Sequence, residues 1–121
     1  MIISIHVLPK LTQTILVVLI LFTPVANSAE RAEDLYKAYC WQCHGMQGNG
    51  MGVNIRDMSV QPRDHTDSKE MSSRSDQELF NAIKDGGRAI GKSLLMPAWK
   101  DVISDDEIHS LVRYLKELCK C

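Results

Sequence analysis

The chain of 121 residues has little that would mark out a partner: aromatics make up 6%, and 14 Lys and Arg stand against 15 Asp and Glu. A nucleic-acid surface leaves a basic footprint, so this balance argues against one. There is no internal repeat and no low-complexity tract, which excludes a repeat array and leaves room for one modest domain. No stretch reads convincingly as a strand. The longest apolar run, ILVVLILF at 15–22, is about eight residues, or about twelve if stretched through TPVA, against the ~20 that a membrane-spanning helix needs. A buried core this small gains from a bound prosthetic group.

The first 29 residues contain no acidic residue and one lysine, Lys10, and the apolar run is followed by Pro24 and VANSA. That layout predicts a cleavable secretory signal at 1–29, cut after Ser28 or Ala29, and a domain over 30–121. Export to the periplasm or an equivalent oxidising compartment follows. Losing Lys10 leaves the domain mildly acidic.

The rest reads as helix, loop, helix, loop, helix. Ala32, Leu35, Tyr36 and Tyr39 form one apolar stripe at helical spacing, so a helix over 30–40 runs into the first cysteine. Residues 45–74 read as loop, and a loop beyond ~12–15 residues suggests a ligand to wrap. Ser75 with Glu78 opens a second helix over 75–87 as a capping box, with Gly86 to end it. Residues 88–103 read as loop. Ser104 with Glu107 opens the last helix, whose stripe is Ile108, Leu111, Val112, Leu115 and Leu118.

Between the first helix and the long loop stands CWQCHG at 40–45. Cys-x-x-Cys-His is the attachment signature of c-type haem: Cys40 and Cys43 bond the vinyl groups of one porphyrin edge, and the imidazole of His44 reaches the iron. Other uses of the thiols compete. A thioredoxin-like redox pair wants a βαβ pattern, absent here. A zinc site could join Cys40 and Cys43 to Cys119 and Cys121, but leaves His44 an accident. A Cys40–Cys43 disulfide explains neither His44 nor the loop.

A haem iron held by His44 needs a second ligand or an open face. Met46 and Met51 lie too close in sequence to round a porphyrin, and Met58 and Met71 sit in polar loop. Met96 in LLMPAW has Pro97 to stiffen it, Leu94 and Leu95 to dry it and a helix to anchor it, so it is the expected sulfur ligand.

From LYKAYCWQCHG through QPRDHTD and SDQELFNAIKDGG to LLMPAW and the terminal helix, the chain resembles a monohaem class I cytochrome c of the small bacterial type, a group that includes haem domains attached to some terminal oxidases. The resemblance implies an all-α fold whose first and last helices cross, with Ala32 and Tyr36 facing Leu111, Tyr114 and Leu115. It implies that the Pro62 carbonyl accepts the hydrogen bond of the spare His44 nitrogen, and that Arg63 and Trp99 bond the haem propionates. It implies a soluble one-electron carrier with no catalytic residue, docking transiently on redox proteins of a respiratory chain.

The alternative is a haem enzyme or gas sensor with an open iron position, for which His65 and His109 are the spare mature histidines. Lys84, Arg88, Lys92 and Lys100 cluster around Met96 and read as a solvated face. Cys119 and Cys121 depart from the family pattern. A bond between residues two apart closes a strained ring, so a disulfide-linked dimer, a metal contact or free thiols are the expectations there.

Overall fold

The computed structural model describes residues 28–121, so the expected leader lies outside the described residues, apart from its last two positions. Those residues form five helices: α1 Ser28–Tyr39, α2 Trp41–His44, α3 Ser68–Ser72, α4 Asp76–Ala89 and α5 Asp105–Cys119. No strand occurs among them, and none of the described helices is long and apolar enough to cross a membrane.

Helix α5 is the frame. Its apolar stripe buries Ile108, Leu111, Val112 and Leu115, each worth about 1.5–3 kcal/mol when removed from water. Helix α1 packs against it, with Ala32 and Tyr36 buried on its inner face and the Tyr36 ring 5.4 Å from that of Tyr114. The small Ala32 side chain lets the two helices approach. Helix α4 adds Leu79, Phe80 and Ile83 to the same core.

The start of α5 is held by the capping box expected from the sequence. Glu107 accepts from the Ser104 N–H at 2.8 Å and from its hydroxyl at 2.8 Å, while Arg31 of α1 pairs with the other carboxylate oxygen at 2.5 Å. The Ser104 amide foremost, then Arg31 and the Ser104 hydroxyl, lower the Glu107 pKa to about 2. A depressed carboxyl stabilises the fold above its unfolded value of 4.5 and loses that contribution as pH falls through about 2. Glu107→Gln is therefore expected to be less stable than the wild type at neutral pH, with the gap closing across that window. Thermal melts over the acid range check this; a gap independent of pH would contradict it.

Two short helices escape the sequence reading. Helix α3 lies inside the expected loop, where the Asp67 side chain caps the Glu70 amide at 3.0 Å and Met71 is fully buried. The Lys116 ammonium donates to the Arg74 carbonyl at 2.8 Å, and the Ser68 hydroxyl donates to the Cys119 carbonyl. These contacts tie the loop to α5. Helix α2 is a single turn carrying the cysteine–histidine motif.

The expectation for Cys119 and Cys121 is corrected. They form a disulfide within the chain, with Cα atoms 5.2 Å apart. Lys120 adopts the left-handed conformation, φ 54° and ψ 42°, which folds the terminus back and brings the Cα atoms inside the span a disulfide bridges. Neither thiol is then free for a covalent dimer or for a zinc site.

Candidate haem-binding site

Helix α1 ends at Tyr39, and α2 follows after Cys40. The Cys40 amide still bonds the Tyr36 carbonyl at 2.9 Å, and the His44 amide bonds the Cys40 carbonyl at 2.9 Å. Near-helical geometry through 40–44 puts residues three apart on one face, so Cys40 and Cys43 present their thiols side by side. Both are free, and both line a cavity of about 370 Å³, within the range of small-molecule sites. Burial, then the neighbouring Cys43, raises the Cys40 pKa to about 12, so this thiol stays protonated.

His44 lines the same cavity. Its Nδ1 donates to the Arg63 carbonyl at 3.1 Å, since a carbonyl can only accept. That fixes the tautomer and leaves the Nε2 lone pair free to bind a metal. Burial, as the main cause, lowers the pKa of His44 and keeps the ring neutral.

The acceptor is one residue beyond the expected Pro62. A Cβ on Gly50 would lie 2.9 Å from the Pro62 oxygen, so that carbonyl is packed against Gly50 and the next one reaches the imidazole. Pro62 remains on the cavity wall. Arg63 lies there too, with its guanidinium paired to Glu70 at 2.5 Å.

The opposite elements bring Met96 and Trp99 to the cavity. The segment is fixed by backbone bonds to the end of α4: Gly87 N–H to the Met96 carbonyl at 3.0 Å, and Trp99 N–H to the Ile83 and Lys84 carbonyls at 3.2 Å. Gly86 turns the chain at φ 78°, a conformation glycine adopts without strain. Its neighbour Gly87 leaves no room for a side chain against Ser93. The double glycine thus seats the methionine segment. The Trp99 ring packs on Tyr39 at 5.0 Å.

Met58 also lines the cavity, whereas Met71 is in the core and Met46 and Met51 are exposed. His109 stacks on Phe80 at 4.5 Å on an exposed part of α5. His65, a spare histidine in the sequence, is 7% exposed and stacks on His44, with ring centroids 4.3 Å apart. Burial first, then His44 and Arg63, lowers its pKa to about 3. Sequence spacing gave no signal for this pairing.

Two free thiols, a neutral imidazole with an available Nε2, thioethers and apolar walls around one cavity fit haem c.

A family model described as cytochrome c oxidase, cbb3-type, subunit III matches residues 27–115. Among solved structures, the c-type cytochrome KustC0563 is similar, with 22% identity, a TM-score of 0.57 and coverage of 72% of this chain and 95% of its own. A chain of the Kuenenia stuttgartiensis reducing HAO-like protein complex Kustc0457/Kustc0458 is similar at 26% identity and TM-score 0.59; the match covers 74% of this chain but 41% of that one. No curated protein matches. With its helical fold and its CWQCHG turn facing the cavity, the chain belongs to this c-type cytochrome family, whose members hold covalently bound haem and transfer electrons.

Proposed function

We propose that the protein is a one-electron carrier with a single haem c, bound through Cys40 and Cys43 and ligated by His44 and Met96. The observation that carries the reading is that the cysteine–histidine turn and the Met96 segment line one cavity. When bound, the haem supplies an iron that accepts and releases one electron, with a thioether ligand raising its potential.

The chain's own residues do the rest. The Arg63 carbonyl orients His44, the Gly86–Gly87 turn seats Met96, and Leu79, Ile83, Leu111 and Leu115 give the cavity an apolar wall. The Arg63 guanidinium and Trp99 indole are the donors for the propionates. Of the spare histidines, His65 stacks on His44 and His109 on Phe80, which supports the carrier reading over a haem enzyme or gas sensor.

Ile90, Leu94 and Leu95 are exposed on the segment that carries Arg88, Lys92 and Met96. Of the nearby lysines, Lys84 pairs with Asp105 at 2.8 Å and Lys100 with Asp85 at 3.8 Å. An apolar patch with few uncompensated charges suits a weak, transient contact with larger redox proteins of a respiratory chain. That one similar structure comes from a protein complex supports partners of this kind. The leader at 1–29 would export the chain to the periplasm, and the Cys119–Cys121 disulfide accords with an oxidising compartment.

Met96→Ala and Met58→Ala separate the two thioethers. In the reduced haem-loaded protein, Met96→Ala is expected to go from essentially no carbon monoxide binding to stoichiometric binding, with Met58→Ala unchanged from the wild type. The reverse pattern would assign the ligand to Met58.

A further inference from the structure

We infer that His65 is a positioning residue for His44: its ring lies against the imidazole face and sets the plane in which that imidazole meets the iron. The inference rests on His44 being the iron ligand.

The rotation of a histidine ring about its last torsion is soft and broad, so the side chain alone does not fix the ring plane. The hydrogen bond from Nδ1 to the Arg63 carbonyl holds one edge at 3.1 Å. A single bond leaves the ring able to rock about that contact. The His65 ring closes off this motion, with its centroid 4.3 Å away and its plane within 17° of parallel.

His65 is itself held by packing. Its backbone N–H donates to the Gly48 carbonyl at 2.6 Å, and next to it the Asp64 carboxylate accepts from the Thr66 amide at 2.7 Å. On another side stands Tyr36, at 6.1 Å and 70°, whose hydroxyl donates to the Gly45 carbonyl at 3.1 Å. The chain of support therefore runs from α1 through Tyr36 and His65 to His44.

The polar character of His65 Nδ1 is unused in this arrangement. Its Nδ1 is buried with no hydrogen-bond partner among the described residues, an unfavourable state for a polar atom. What the site uses is a flat, small ring. A phenyl ring offers the same flat face, whereas leucine or methionine fills the space without one.

The test uses the haem-loaded ferric protein and its haem-methyl proton shifts, which respond to the orientation of both axial ligands, with the near-infrared sulfur-to-iron band recorded alongside to show that the methionine ligand is unchanged. Far-UV circular dichroism checks folding. His65→Leu and His65→Met are expected to reorder and spread the haem-methyl resonances, while His65→Phe keeps the wild-type pattern. Folded Leu or Met variants with the wild-type pattern would overturn the inference. If neither folds, the Phe variant decides: a wild-type pattern supports the inference and a reordered one overturns it. A wild type lacking a low-spin, histidine-ligated spectrum would instead overturn the ligation itself, which separates the two failures.

Discussion

Replacing Cys40 and Cys43 together with alanine is expected to abolish haem staining on a denaturing gel and to leave most of the chain unfolded. The first result follows from chemistry, because the two thiols are the only free ones among the described residues. The second follows from size. An empty cavity of about 370 Å³, at roughly 24 cal/mol per Å³, corresponds to a penalty of up to about 9 kcal/mol, comparable to the ~5–15 kcal/mol that holds a typical domain together. The cavity opens to solvent, so this is an upper bound. Circular dichroism of the double variant, expressed with the haem-attachment machinery, measures the effect; native helicity without haem would show that the protein core suffices.

The second large effect is expected at Gly87. A Cβ there would lie 2.1 Å from the Ser93 oxygen and 3.1 Å from its carbonyl carbon, both backbone atoms, and 3.2 Å from the Met96 Cβ. Backbone cannot swing aside as a side-chain tip does, so the 93–96 turn must move. Gly87→Ala should cost roughly 2–4 kcal/mol, as overpacking and backbone strain do. It should also weaken the sulfur-to-iron band in the near infrared, because Met96 is tied to Gly87 by a backbone bond of 3.0 Å. Gly91→Ala is the control. It has positive φ, 68°, but nothing within 4 Å, so it should lose only ~1–2 kcal/mol and leave the band intact. Equal effects of the two substitutions on the band would contradict the seating role of Gly87.

The parts legible in the sequence were those written in local patterns. The Ser75 and Ser104 capping boxes are both present in the structure, and the Ala32–Tyr36 face meets α5 as the resemblance implied. Cys40, Cys43, His44 and Met96 all line the cavity. What was missed depends on contacts between distant segments. Helix α3 has its own signal, Asp67 capping Glu70, but a five-residue helix shows little periodicity, and its burial comes from α5.

The acceptor of the His44 hydrogen bond lies one residue beyond the expected proline: the Pro62 carbonyl packs against Gly50 and the Arg63 carbonyl faces His44, a contact between distant segments that no local pattern announces. The Cys119–Cys121 bond was dismissed as strained. The left-handed Lys120 that permits it is not announced by residue type. The stacking of His65 on His44 joins residues 21 positions apart through a loop without period, so no spacing rule reaches it.

The most direct test of the central claim is the absorption spectrum of the haem-loaded wild type, oxidised and reduced, recorded into the near infrared and again under carbon monoxide. Ligation by His44 and Met96 predicts a low-spin spectrum, a weak sulfur-to-iron band in the oxidised form and no change of the reduced form with carbon monoxide. A high-spin spectrum that shifts readily under carbon monoxide would mean an open iron position, and would contradict the electron-carrier account.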